Sequence, residues 1–161
     1  MAGYRFVTVW RLQAPVDRVF AEIDDPDAWP SWWPNVRSVE TVVEGAPDGV
    51  GATRRMTFVG RLPYTLQFDM RVVRRVPPHA LVGEATGELE GVGDWALHEE
   101  DGWTVVRYVW AIRTTAPWMN LLAPLPFVDA IFRLNHHSVM RGGLHALARR
   151  LGVRGLYTRE E

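Results

Sequence analysis

From Arg37 to Arg113 the chain is a succession of short runs with a two-residue apolar period, and that pattern leaves few folds open. YTLQFDMRV is the clearest of them. Tyr64, Leu66, Phe68, Met70 and Val72 alternate with Thr65, Gln67, Asp69 and Arg71. Side chains leave a strand on opposite faces in turn, so such a run buries one face and shows the other to water. Arg37–Glu44, Thr53–Val59, Ala80–Leu89, Gly93–His98 and Trp103–Arg113 read as further strands, and Tyr4–Leu12 as one that precedes them. The segments between them are turns: Gly45–Gly51, Gly60–Pro63, Pro77–Pro78 and Glu99–Gly102. None of these is long enough for a crossover helix, so neighbouring strands pair antiparallel.

Two helical patterns flank this set. VDRVFAEI follows Pro15, which suits a first helical position, and puts Val16, Val19, Phe20 and Ile23 on one stripe. Phe127–Leu151 holds no proline and reads as one long helix. Its stripe is Phe127, Ala130, Ile131 and Leu134 at first, then Met140, Leu144, Leu147, Ala148 and Leu151, with Gly152 as C-cap. The fold class is α+β: a curved antiparallel sheet of about six to seven strands wrapped around a long C-terminal helix, with short helices after the first strand. A sheet curved around one helix encloses a space that its side chains need not fill. Strand alternation points Leu66, Phe68, Met70, Trp95, Tyr108 and Trp110 into it.

Composition narrows the chemistry. Among 161 residues there is no cysteine, and all eighteen Lys+Arg residues are arginine. Thiolate catalysis, cysteine-held zinc, iron–sulfur clusters and lysine Schiff bases are excluded. A net charge of −1 offers no electrostatic footprint for nucleic acid. MAGYRFVTVWRL lacks the charged start and apolar run of a signal peptide, and the charge-free stretch Thr114–Val128 is broken by three prolines, so no transmembrane segment is expected. The expectation is a single domain over residues 1–161, in the cytoplasm, with its oligomeric state open.

Few side chains could carry a reaction. His136 and His137 are adjacent on a helix and point apart, while His137 and His145 lie two turns apart, so no metal site is expected. No GxSxG surrounds Ser31, Ser38 or Ser138. Glu84 and Glu88 alternate with small residues and read as solvent-facing, although an inverted register would make Glu88 a cavity acid able to move a proton. Arg141 lies one turn after His137, near the stripe of Leu134, Leu144 and Ala148. Two readings of it stand: with His137 it orients a ligand's carboxylate, carbonyl or phenol, or it pairs with a strand carboxylate at the helix edge. The linker TTAPWMNLLAPLPF reads as a mobile apolar lip with Trp118 near an entrance, suited to transient membrane contact, its prolines denying it a stable helix.

LQAPVDRVFAEIDDPDAWPSWWPNV, GATRRMTFVGRLPYTLQF, TGELEGVGDWAL, APWMN and FRLNHHSVMRGGLHALARRL, in that order, resemble the START-like helix-grip (SRPBCC) superfamily, in its polyketide cyclase/dehydrase-like branch. The resemblance runs from about Thr8 to Gly152. It implies that two short helices after the first strand cap one end of a cavity, with Trp33 in the apolar wall of that cap. It also implies a small hydrophobic ligand (lipid, quinone or polyketide-like) held without a cofactor. The alternative is a cyclase, dehydratase or aromatase that moves protons on a poly-β-keto or aromatic substrate. The sequence shows no catalytic signature for it. The expected ligand contacts are Trp33, Leu66, Phe68, Met70, Trp95, Tyr108, Trp110, Trp118, Leu134, His137 and Arg141.

Overall fold

A computed structural model describes residues 3–160. Eight strands form one antiparallel sheet: β1 (Gly3–Leu12), β2 (Val36–Val43), β3 (Thr53–Val59), β4 (Thr65–Val76), β5 (Ala80–Gly87), β6 (Leu89–Glu100), β7 (Trp103–Thr114) and β8 (Gly155–Glu160). Their order across the sheet is β2-β3-β4-β5-β6-β7-β1-β8. β2 to β7 are sequential neighbours, as short turns require, and β1 closes onto β7 over the whole of its length. β8 is one strand more than the periodicity suggests. GLYTRE is exposed at most positions and so lacks a buried-face signal, yet it pairs with β1 from Val7 to Leu12.

Between β1 and β2 lie α1 (Val16–Ile23), a 3-10 turn (Pro26–Ala28) and α2 (Trp29–Trp32). α1 buries Val16, Val19, Phe20 and Ile23, the stripe its spacing predicts. Pro15 precedes it, and the Val16 N–H, orphaned at the helix start, donates to Glu99 Oε1 of β6 at 2.9 Å. Thr104 Oγ1 donates to the Ala14 carbonyl at 2.6 Å, so the turn into α1 is tied to β7 as well. Two ion pairs hold the cap segment to the sheet: Arg75 of β4 grips Asp24 at 2.7 Å, and Arg54 of β3 meets Asp27 at 3.0 Å.

After β7, α3 (Pro117–Leu122) leads to the long helix α4 (Val128–Leu151). The prolines were expected to keep this linker non-helical. Pro117 instead starts a short helix, because a first-turn residue has no intrahelical N–H bond to lose. α4 ends at Gly152, whose φ of 68° is the left-handed C-cap that glycine adopts without strain. Its second half buries Met140, Leu144, Leu147 and Ala148 as the stripe predicts, whereas Phe127, Ile131 and Leu134 of its first half face outward. There the inward positions are Val128, Phe132, His136 and Val139. A polar residue in the middle of that face hides it from a hydrophobic pattern.

Candidate functional site

The inner face of the sheet does not close on α4. A cavity of about 160 Å³ remains. An apolar void of about 150 Å³ accepts a benzene-sized ring. Phe6, Met56, Phe58, Leu66, Phe68, Met70, Trp95, Tyr108 and Trp110 come from the sheet, Trp29 and Trp33 from the cap, and Phe132, His136, Val139 and Met140 from α4.

Two glycines let side chains of this wall lie close against the sheet. Gly83 of β5 and Gly93 of β6 are register partners, flanked by Val72 on one side and Trp110 on the other. A Cβ on Gly83 would lie 2.6 Å from Met70 Sδ, and one on Gly93 would lie 2.7 Å from the Tyr108 hydroxyl. Where these two side chains are missing, Met70 and Tyr108 lean into the gap. Trp95 stacks on Tyr108 at 4.0 Å between centroids, and Tyr108 lies near-parallel to Trp110 at 6.1 Å, so the three rings form one aromatic stack on the cavity wall. The sequence shows both glycines inside strand patterns, a signal of close approach.

The cap closes one end. Trp33 is 2% exposed, donates from Nε1 to the Val139 carbonyl of α4 at 3.1 Å, and lies edge-on to Trp10 and Phe58. Gly143 permits this, because a Cβ there would come within 2.6 Å of the indole. Trp29 donates to the Glu22 carbonyl at 3.0 Å, and Trp32 stacks behind Trp33 without reaching the cavity wall. The prolines shape a tight path, so the three indoles of this segment pack as one cluster.

Of the residues singled out in the sequence, Trp33, Leu66, Phe68, Met70, Trp95, Tyr108 and Trp110 line this cavity together. Trp118 stands outside it, on the rim, edge-on to the Tyr64 ring at 4.9 Å, while its neighbour Met119 points in. Leu134 is 62% exposed on the far face of α4. His137 Nδ1 shares a 2.7 Å hydrogen bond with the Tyr157 hydroxyl, and the Arg141 guanidinium sits 5.0 Å from the centre of the Tyr157 ring. Neither lines the cavity, since β8 covers that face of α4 and supplies the aromatic partner. Arg141 has no ion pair among the described residues, so neither anticipated role describes its surroundings. Glu84 is exposed beside Arg71, and Glu88 accepts the Gln67 N–H at 2.8 Å, both off the cavity wall.

His136 is a polar residue of this wall that hydrophobic periodicity does not mark. It stacks on Phe6 at 4.2 Å, and neither ring nitrogen has a hydrogen bond among the described residues. Burial, with a smaller contribution from His137, lowers its pKa to about 3. It is therefore neutral in the folded protein at pH 7, whereas an unfolded histidine titrates near 6.5. A base with a depressed folded pKa contributes stability above the unfolded pKa and loses it as pH falls through the window from about 6.5 towards 3. Stability should therefore fall by at most about 1.4 kcal/mol per pH unit on this account below pH 6. His136→Phe should flatten that acid limb in urea titrations at pH 5 and pH 7, and an unchanged limb would remove His136 as its source.

Other polar groups are sparse. Tyr64 and Asn135 meet at 3.4 Å near the rim, and burial pushes the Tyr108 hydroxyl well above the usual phenol range, with Asp94 adding to the shift. Among the described residues no cluster of three His, Cys, Asp or Glu could hold a metal, and no helix is long and apolar enough to cross a membrane.

A family model described as polyketide cyclase / dehydrase and lipid transport matches residues 5–152. The chain belongs to that family. No curated protein sequence matches it. Among solved structures, a START superfamily protein from Mycobacterium smegmatis superposes with a TM-score of 0.71 at 12% identity, over 91% of this chain and 97% of that one. The Zhui aromatase/cyclase from Streptomyces sp. R1128 gives 0.70 at 14% identity, over 92% and 93%. The di-domain ARO/CYC BexL from the BE-7585A biosynthetic pathway gives 0.70 at 21% identity, over 91% of this chain but 49% of that one. The chain thus spans about half the length of that di-domain protein. These likenesses establish the helix-grip fold of this family member.

Proposed function

We propose that the chain binds a small hydrophobic molecule with a flat ring system, in the cavity between the sheet and α4. The observation that carries this reading is the aromatic stack of Trp95, Tyr108 and Trp110 on the wall of a cavity lined almost wholly by apolar side chains. Space of that kind costs stability in a protein that has no use for it, because side chains lose contacts along its walls. Apolar walls with a few polar groups are the usual make-up of small-molecule sites.

The enzyme alternative, proton transfer on a poly-β-keto or aromatic substrate, needs a group that exchanges a proton near neutrality. The two titratable groups deepest in the cavity are both held away from that range: His136 stays neutral down to about pH 3, and the Tyr108 hydroxyl stays protonated. That favours binding over catalysis. Titration with 2-naphthylmethanol, followed by quenching of tryptophan fluorescence, tests the reading. Saturable quenching with a dissociation constant below about 100 μM is expected for a ring of this size, roughly 5–6 kcal/mol of binding free energy. Linear, unsaturable quenching would remove the proposal.

A further inference from the structure

The cap end of the cavity differs in charge from the rest. Arg54 is the only formally charged side chain among the described residues that line it. It starts the inward face of β3, two and four residues ahead of Met56 and Phe58, and its side chain is 22% exposed. Only its Nε is engaged, by Asp27 Oδ1 at 3.0 Å. The two terminal nitrogens, with four N–H donors between them, have no hydrogen-bond partner among the described residues. Asp27 is 52% exposed, so solvent screens part of the charge it sets against Arg54. A guanidinium used at Nε alone still presents its end-on edge, the pair of Nη groups that matches the two oxygens of a carboxylate.

We infer that the ligand is an aromatic carboxylic acid, with its ring against the Trp95–Tyr108–Trp110 stack and its carboxylate on the Nη edge of Arg54. This rests on the binding reading above and narrows it. An anion entering an apolar cavity loses its hydration, and only a paired cation within the same space offsets that loss. Arg54 is the residue placed to do so. Arg55, its neighbour on the outer face, is already taken by Asp69 at 2.9 Å and offers a control of equal charge.

The experiment compares 2-naphthoate with 2-naphthylmethanol at pH 7, by tryptophan quenching, on the whole chain. Wild-type protein should bind the acid at least about tenfold more tightly than the alcohol, the range of one charge-assisted hydrogen-bond pair. Arg54→Gln should reverse that preference while alcohol affinity is kept, and Arg55→Gln should leave it unchanged. If Arg54→Gln fails to fold, Asp27→Asn takes its place: it removes the rival carboxylate and should raise the preference for the acid. Equal binding of acid and alcohol by the wild-type protein would overturn this inference and leave the binding reading standing. A preference that survives Arg54→Gln, does not rise in Asp27→Asn, or is lost in Arg55→Gln would also overturn it. Failure of both probes to bind would overturn the binding reading itself.

Discussion

Trp33→Ala is expected to lower folding stability by about 3–5 kcal/mol, the cost of emptying a large aromatic site in a packed core. The indole is 2% exposed and meets Trp10, Trp29, Trp32 and Phe58 at centroid distances between 5.3 and 5.8 Å. Its Nε1 bond to Val139 joins the cap to α4, and Gly143 accepts its flat edge. Trp33 lines the cavity, so the vacated volume would add to it. Domains of this size are stable by roughly 5–15 kcal/mol, so the loss is about a fifth or more of the total. Urea unfolding followed by far-UV dichroism measures it. A change under about 1 kcal/mol would mean that the cap is not fastened to the helix through this indole.

Gly83→Ile is expected to abolish ligand binding without unfolding the chain. The new Cβ meets the end of a flexible Met70 side chain at 2.6 Å and no backbone closer than 3.5 Å, so the strand accommodates it by moving Met70. Isoleucine also suits a strand better than glycine, by up to about 1 kcal/mol, which offsets the crowding. The added carbons and the displaced thioether would occupy the hollow above Gly93. Affinity for 2-naphthylmethanol should fall by more than about tenfold, a loss of over about 1.4 kcal/mol. Melting temperature should stay within a few degrees, by the usual scaling for chains of this length. Unchanged affinity in a folded variant would place the ligand elsewhere.

Much of the site was legible along the chain because strand alternation needs no knowledge of partners. Leu66, Phe68 and Met70 stand on one face of β4 by parity alone, and Trp95, Tyr108 and Trp110 follow by the same rule on β6 and β7. Arg54 obeys that parity too, with Met56 and Phe58, but a charged residue at the start of a strand is ordinarily assigned to solvent. His136 was hidden for the same reason, and Leu134 seemed to face inward because its hydrophobicity outweighed its phase on the helix. His137 and Arg141 sit where helical phase puts them, one turn apart. What that face of α4 meets is Tyr157 of β8, a strand whose exposed pattern gives no warning of itself.

The order of β1 to β7, the inward faces of those strands and the extent of the long helix can be read along the chain, because they depend on local periodicity and on where proline and glycine interrupt it. It takes the folded chain to show that Gly83 and Gly93 lie opposite each other and admit Met70 and Tyr108, that Trp33 fits against Gly143, and that a guanidinium and a buried imidazole share one cavity. Those are relations between residues far apart in the chain, set by strand register and by which side chains reach the same space, and no local pattern carries that information.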